Sequence, residues 1–230
     1  MKPKIISFSL CPFVQRSRIV LEEKGVDYDI ECIDLRSPPS WFVEISPLRQ
    51  VPVLVLGDQA VFDSVVINEL LDEIFPIKLH PENVFCKAMN RSWIEYASKI
   101  TQNAHWMAVS KTREEYCKKL EELREGFNRL ESVLESQKYF NGEQFSLVDA
   151  TYAPVFTRLS LIERKGAEIL PPVSYPKVEK WRGNLEQRQS VADSVESTFK
   201  REYLYYLESE QSYLLSKIVD NENYFEEEVR

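Results

Sequence analysis

The sequence predicts a small mixed α/β domain followed by an all-α domain, and three observations carry that reading. Short runs rich in Ile, Val, Leu and aromatic residues occupy 4–10, 28–35 and 52–56, the length and composition of strands. Helical patterns fill 12–24 and 64–74 around them. From about residue 85 the apolar residues recur at three- and four-residue spacing throughout, which is the period of amphipathic helices.

Taken in order, "MKPKIISFSL" has two lysines and a short apolar run but no small-residue cleavage site, so it reads as a first strand and not as a signal peptide. Pro12 opens the first helix and Gly25 ends it. "YDIECIDL" at 28–35 alternates face by face, and "QAVF" at 59–62 returns from the "LGD" turn as the second arm of a hairpin. The next helix, 64–74, stops before Pro76. The order β-α-β, a short irregular helix, then β-β-α implies a small mixed sheet covered by helices. "FPIKLHPENV" at 75–84 holds two prolines and little periodicity, which divides the chain into a domain at 1–76, a linker at 77–84 and a helical domain at 85–230. Phe85, Met89, Trp93, Tyr96 and Ile100 form one apolar stripe, and Tyr116, Leu120, Leu123, Phe127, Leu130 and Leu134 form the next. Residues 146–166 and 175–191 supply two more helices. The tail from Lys200 is polar and aromatic, and its acidic end "NENYFEEEVR" reads as a solvated helix terminus or a frayed tail.

Composition excludes several classes. With 43% hydrophobic residues the chain can bury a core, and its net charge of −8 argues against nonspecific nucleic-acid binding. No apolar run approaches the roughly 18 residues that span a bilayer, so no membrane association is expected. Four cysteines at 11, 32, 86 and 117 show neither close pairing nor metal spacing, which suggests a reducing compartment, the cytoplasm by default. His80 and His105 are the only histidines, so no metal centre is expected.

Three motifs carry candidate chemistry, each with two readings. In "CPFV" Cys11 precedes a first-turn proline, which places it at a helix N-cap. It is either a small buried residue or a thiol whose pKa the helix start lowers toward neutrality, with Arg16 and Arg18 adding positive charge. In "RQVPVLVL" Pro52 is either a trans proline at a strand's first residue or a cis proline that turns the Val51 backbone outward to hold an extended peptide. In "FDSVVINELL" Asp63 and Ser64 either cap the helix or receive a ligand carboxylate and its ammonium.

Together these resemble the cytosolic glutathione transferase family, in particular its omega-like, cysteine-type members. The resemblance is carried by "CPF" at 11–13, "RIVLEEKGV" at 18–26, "PPSWFVEISP" at 38–47, "VPVL" at 51–54, "DS" at 63–64 and "FSLVDATYAP" at 145–154, and it covers residues 1 to about 195. Ser146 and Asp149 have the spacing of the capping box that opens this family's central C-terminal helix. The resemblance implies the glutathione transferase fold, a thioredoxin-like N-terminal domain plus an all-α C-terminal domain. It also implies Cys11 as the catalytic thiol, glutathione as co-substrate, and Phe13, Leu35, Val51, Pro52, Asp63 and Ser64 around the glutathione. Omega-like members often offer a lysine to the glycyl carboxylate three residues after the leucine. This chain has Pro38 there, with Arg36 as the substitute cation.

Val14 stands where a dithiol motif has its second cysteine, so the chemistry implied is monothiol exchange. The expected activity is a glutathione-dependent thiol transferase, with dehydroascorbate reduction as a variant. A small or protein thiol or disulfide is the acceptor, bound between the domains by Trp93, Tyr96, Trp106 and Arg158. The family habit implies a homodimer. "RIVLEEKGV" and "FSLVDATYAP" also resemble stringent starvation protein A, which makes a non-catalytic regulatory protein the alternative.

Overall fold

The computed structural model describes residues 2–218; the acidic end at 221–230 lies outside them. Four strands, β1 (Lys4–Ser7), β2 (Asp29–Cys32), β3 (Val53–Leu56) and β4 (Gln59–Phe62), form one sheet in the order β2-β1-β3-β4. β1 runs parallel to β2 and antiparallel to β3, and β3 and β4 form the expected hairpin. The first strand is shorter than 4–10 because the chain turns there: Cys11 N donates to the Phe8 carbonyl at 3.0 Å.

The helices of the sheet domain are α1 (Pro12–Glu23), the short α2 (Ser40–Ile45) and α3 (Ser64–Ile74). α2 closes one sheet face with Phe42, which packs on Ile6 and Val53. α1 and α3 cover the other face, where Ile5, Ile19 and Ile67 join a core continuous with the helical domain. That domain comprises α4 (Val84–Val109), α5 (Arg113–Val133), α6 (Leu147–Glu163), α7 (Pro176–Glu186), α8 (Gln189–Ala192) and α9 (Phe199–Ser209), followed by a 3-10 turn at Tyr213–Lys217. α6 is buried along almost its whole length. Its start is fixed by Asp149, whose carboxylate accepts from Ser146 N and Oγ, Phe140 N and Trp181 Nε1 at 2.6–2.9 Å. α5 approaches α4 closely at Gly126: a side chain there would collide with Ile100, and Tyr96 Oη donates to the Gly126 carbonyl at 3.4 Å.

α9 is an addition to what the periodicity singled out. Its buried residues Phe199, Tyr203 and Leu207 recur every four positions, a stripe that could have been found within the polar tail.

The connection between the domains is held by a buried ion pair. Lys24 Nζ lies 2.9 Å from Asp72 Oδ1, and both side chains are almost fully enclosed. Lys24 also donates to the Ile77 carbonyl at 2.7 Å, while Asp72 accepts from Leu79 N at 2.7 Å. Leu147 N donates in turn to the Leu79 carbonyl at 3.2 Å, which joins the linker to the start of α6. Removing one member of such a pair leaves the other charge buried alone, at a cost of about 3–5 kcal/mol. Lys24→Met should therefore lower the unfolding free energy in urea by about that amount. A loss below about 1 kcal/mol, the scale of an exposed pair, would show that the linker does not depend on it.

Candidate active site

Cys11 is the N-cap of α1, with φ −71° and ψ 118°, and Pro12 follows at the first helical position. First-turn amides lack intrahelical acceptors, and those of Val14 and Phe13 face the sulfur. The thiol donates to the Val51 carbonyl, with Sγ 3.8 Å from the oxygen. The Val51–Pro52 peptide is cis, not trans. The structure thus brings Cys11, Phe13, Val51 and Pro52 together. Leu35 and Val51 pack on the same Ile6–Phe42–Val53 cluster. Arg36 has a side chain that is 93% exposed and pairs with Asp34 at 3.3 Å.

At the start of α3 the cap is Asp63. Its Oδ1 accepts from Val65 N at 2.8 Å and from Val66 N at 3.3 Å. It does so from φ 73° and ψ 124°, outside the left-handed helical basin and strained for any residue that carries a side chain. Ser64 follows as the first helical residue and is buried.

Two buried guanidinium groups lie under the thiol. Arg16 donates to the Thr151 carbonyl, Ser98 Oγ and Thr101 Oγ1 at 2.8–3.3 Å and stacks over Phe13 at 4.7 Å. Burial brings Arg16 down to about 10. Arg158 donates to the Leu10 carbonyl, Gln15 Oε1 and the Pro154 carbonyl at 2.7–2.8 Å. Arg18, also expected near the thiol, turns instead to Tyr28 and Glu196.

The thiol's acidity corrects the sequence expectation. Burial pushes Cys11 above the ordinary thiol range, and the Val14 and Phe13 amides, Arg158 and Arg16 pull it down without reversing the shift. A helix start viewed alone predicts the opposite sign. The difference is the cover supplied by Val51 on one side and α6 on the other.

The four residues expected at the acceptor site divide. Trp93 packs on Tyr96 and Phe140, Tyr96 accepts a hydrogen bond from Arg129, and both rings are half-buried. Trp106 is 54% exposed and lies edge-on to His105. Arg158 is enclosed beside α9, over the rings of Phe199 and Tyr203 at 5.0 and 5.9 Å. From there an aromatic series continues through Tyr206 to His105, stacked at 6.3 Å, and on to Trp106. Burial holds His105 below its ordinary pKa, with Glu210 opposing and Arg158 reinforcing. Phe199, Tyr203, Tyr206, His105 and Gln15 are the residues that sequence reasoning missed. Among the described residues no cluster of His, Cys, Asp and Glu could hold a metal ion.

Comparison with known proteins gives the family. The family model for the glutathione S-transferase N-terminal domain matches residues 10–74, and that for the C-terminal domain matches 71–189. Glutathione S-transferase omega-1 of Mus musculus is 34% identical over 206 residues, covering 87% of this chain and 84% of that protein. Among solved structures, glutathione transferase Omega 3C from Trametes versicolor is 27% identical with a TM-score of 0.74, over 84% of this chain and 89% of that one. A glutathione S-transferase from Methylobacillus flagellatus with glutathione bound is 27% identical with a TM-score of 0.73, over 84% and 99% of the two chains.

The raised thiol pKa has a measurable sign. The thiolate fraction at pH 7 is smaller than that of a free cysteine, so the rate of Cys11 alkylation by iodoacetamide should rise with a midpoint above about 8.5. Cys11→Ala supplies the background from Cys32, Cys86 and Cys117, all exposed. A midpoint below about 8 would mean that the amides and guanidiniums outweigh burial.

Proposed function

Because this chain belongs to the glutathione S-transferase family, we propose that it is a glutathione-dependent thiol transferase of omega-like type that works through Cys11 in the cytoplasm. The observation that carries the reading is the Cys11 sulfur at the mouth of α1, against the Val51 carbonyl and beside two first-turn amides. A transferase that activates glutathione for conjugation needs a hydroxyl at that place; here a thiol occupies it. No resolving cysteine follows, since position 14 is valine.

The reaction proceeds by two exchanges. The Cys11 thiolate attacks the glutathionyl sulfur of a mixed disulfide RS–SG, forming Cys11–S–SG and expelling RS⁻, which takes a proton. A glutathione thiolate then attacks the glutathionyl sulfur of Cys11–S–SG, giving GSSG and regenerating the Cys11 thiolate. The sum is RSSG + GSH → RSH + GSSG. Dehydroascorbate is a small acceptor for the same site, consuming two glutathiones to give ascorbate and GSSG. A raised thiol pKa lowers the thiolate fraction but increases the nucleophilicity of the thiolate that forms.

Glutathione is held as an added strand, its cysteinyl unit on the Val51 backbone. Asp63 and Ser64 take the γ-glutamyl end: both capping bonds of Asp63 fall on Oδ1, and its charge faces the ligand ammonium. With Arg36 in solvent, the glycyl carboxylate depends least on a fixed cation. The acceptor lies along His105, Trp106 and Tyr206. A second copy of the chain covers the exposed apolar side chains of Phe62, Val66, Val84, Phe85 and Met89. Four unpaired cysteines among the described residues fit a reducing cytoplasm.

Three measurements test this reading. Cys11→Ser should abolish reduction of hydroxyethyl disulfide and of dehydroascorbate while glutathione binding largely survives; wild-type turnover in that variant would assign the nucleophile elsewhere. Asp63→Asn keeps the shape of the side chain and the cap, so its melting temperature should hardly change. Loss of a charge-assisted hydrogen bond should still raise the glutathione Kd roughly ten- to hundredfold. Unchanged glutathione binding in that variant, together with no turnover in the wild type, would favour the regulatory alternative. Light scattering should show a dimer that Phe85→Glu converts to monomer; a monomeric wild type at high micromolar concentration would remove the dimer and leave the chemistry.

A further inference from the structure

Arg158 has the residue type of an acceptor contact but not its surroundings. It is buried, 8% exposed, with Phe199 and Tyr203 stacked against it. Its hydrogen bonds go to neutral acceptors, and two of the three lie on either side of Cys11. The Leu10 carbonyl, one residue before the thiol, accepts at 2.7 Å. Gln15 Oε1, one turn after it, accepts at 2.7 Å. Gln15 is itself fixed, because its Nε2 donates to Thr157 Oγ1 at 3.1 Å and to Ser194 Oγ at 3.0 Å. Its backbone N–H closes the first turn of α1 on the Cys11 carbonyl at 3.2 Å. The third acceptor, the Pro154 carbonyl at 2.8 Å, ties the guanidinium to its own helix α6. A planar fork with donors in fixed directions can hold three such points at once.

We propose that Arg158 is a positioning residue, which grips both flanks of Cys11 from the helical domain and holds its sulfur in line for attack on the glutathionyl disulfide. The inference rests on the reading of Cys11 as the nucleophile. Arg16 acts differently, since its acceptors on Ser98, Thr101 and Thr151 seat α1 between α4 and α6 and include no atom of the turn before the thiol. The charged groups that face Cys11 are Arg16 from α1 and Arg158 from α6, alongside the amides of Phe13 and Val14 and the Val51 carbonyl.

The test uses Arg158→Met, Arg158→Lys and Gln15→Leu in the full chain. It reads hydroxyethyl disulfide reduction, the pH profile of Cys11 alkylation, and thermal unfolding. A misplacement of about 1 Å at a reacting atom costs on the order of a hundredfold. Arg158→Met should therefore lower kcat about a hundredfold while KM for glutathione stays within about threefold. Its alkylation midpoint should move upward, because a cation near the thiolate is lost. Arg158→Lys should bring the midpoint back but restore kcat only in part, since one ammonium cannot reproduce the fork. Gln15→Leu should lower kcat without moving the midpoint, because a neutral group is removed.

Wild-type kcat in folded Arg158→Met overturns the proposal. So does a rise in the disulfide KM alone with kcat and alkylation unchanged, which would restore Arg158 as an acceptor contact. Should Arg158→Met fail to fold, wild-type kcat in Gln15→Leu overturns it instead. Cys11→Ser separates the two levels: turnover in that variant defeats the nucleophile assignment, whereas its silence beside an unaffected Arg158→Met defeats the positioning role alone.

Discussion

Two guanidinium groups buried beneath the start of α1 set the terms for everything around them. Among the described residues neither Arg16 nor Arg158 forms an ion pair with a carboxylate. A buried cation is tolerable only when its donors are satisfied. The satisfying atoms come from α1, α4, α6 and the turn before Cys11, so the sheet domain and the helical domain share one polar seam inside a common apolar core. Sliding one domain on the other would expose several charge-assisted hydrogen bonds at once. The seam thus fixes the relation between the sheet domain, where we propose glutathione binds, and α4 and α9, where we propose the acceptor binds.

The same seam accounts for the state of the thiol. The cover that lets Arg158 reach Leu10 also leaves Cys11 half-buried, and the desolvation that goes with it favours the neutral form. The helix-start amides and the two guanidiniums favour the anion. The result is a thiol resting on the Val51 carbonyl, the group assigned to the cysteinyl unit of glutathione. Burial and local electrostatics oppose one another here, and the outcome depends on tertiary cover that a motif does not contain.

That contrast also describes what was legible in the sequence. Features governed by neighbours along the chain could be read: the Cys11–Pro12 helix start, the 59–62 return strand, the helix at 64–74 and the Ser146–Asp149 spacing all appear where the residues place them. Features governed by distant partners could not. Nothing near Arg158 announces Leu10 or Gln15, which are 148 and 143 residues away. The stripe bearing Trp93 and Tyr96 has the right period for a cleft wall or for helix packing, and only the position of α5 separates the two. α9 was obscured differently: Lys200, Arg201 and Glu202 break the apolar signal after Phe199, although Tyr203 and Leu207 keep its period.

Gly126 carries a consequence for how α4 packs against α5. By letting α5 lie close against Ile100 and Tyr96, it sets how α4 is seated along its length. α4 is continuous from Val84 to Val109, so its two faces are mechanically one object: Tyr96 and Ile100 meet α5, while Ser98 meets Arg16 and His105 meets Tyr206. A Cβ at position 126 would collide with Ile100 Cδ1, the free end of a side chain that can turn to another rotamer before the backbone of α4 has to shift. The tight approach of α5 to α4 at this point therefore falls first on the Ile100 rotamer, and on the path of α4 only after it.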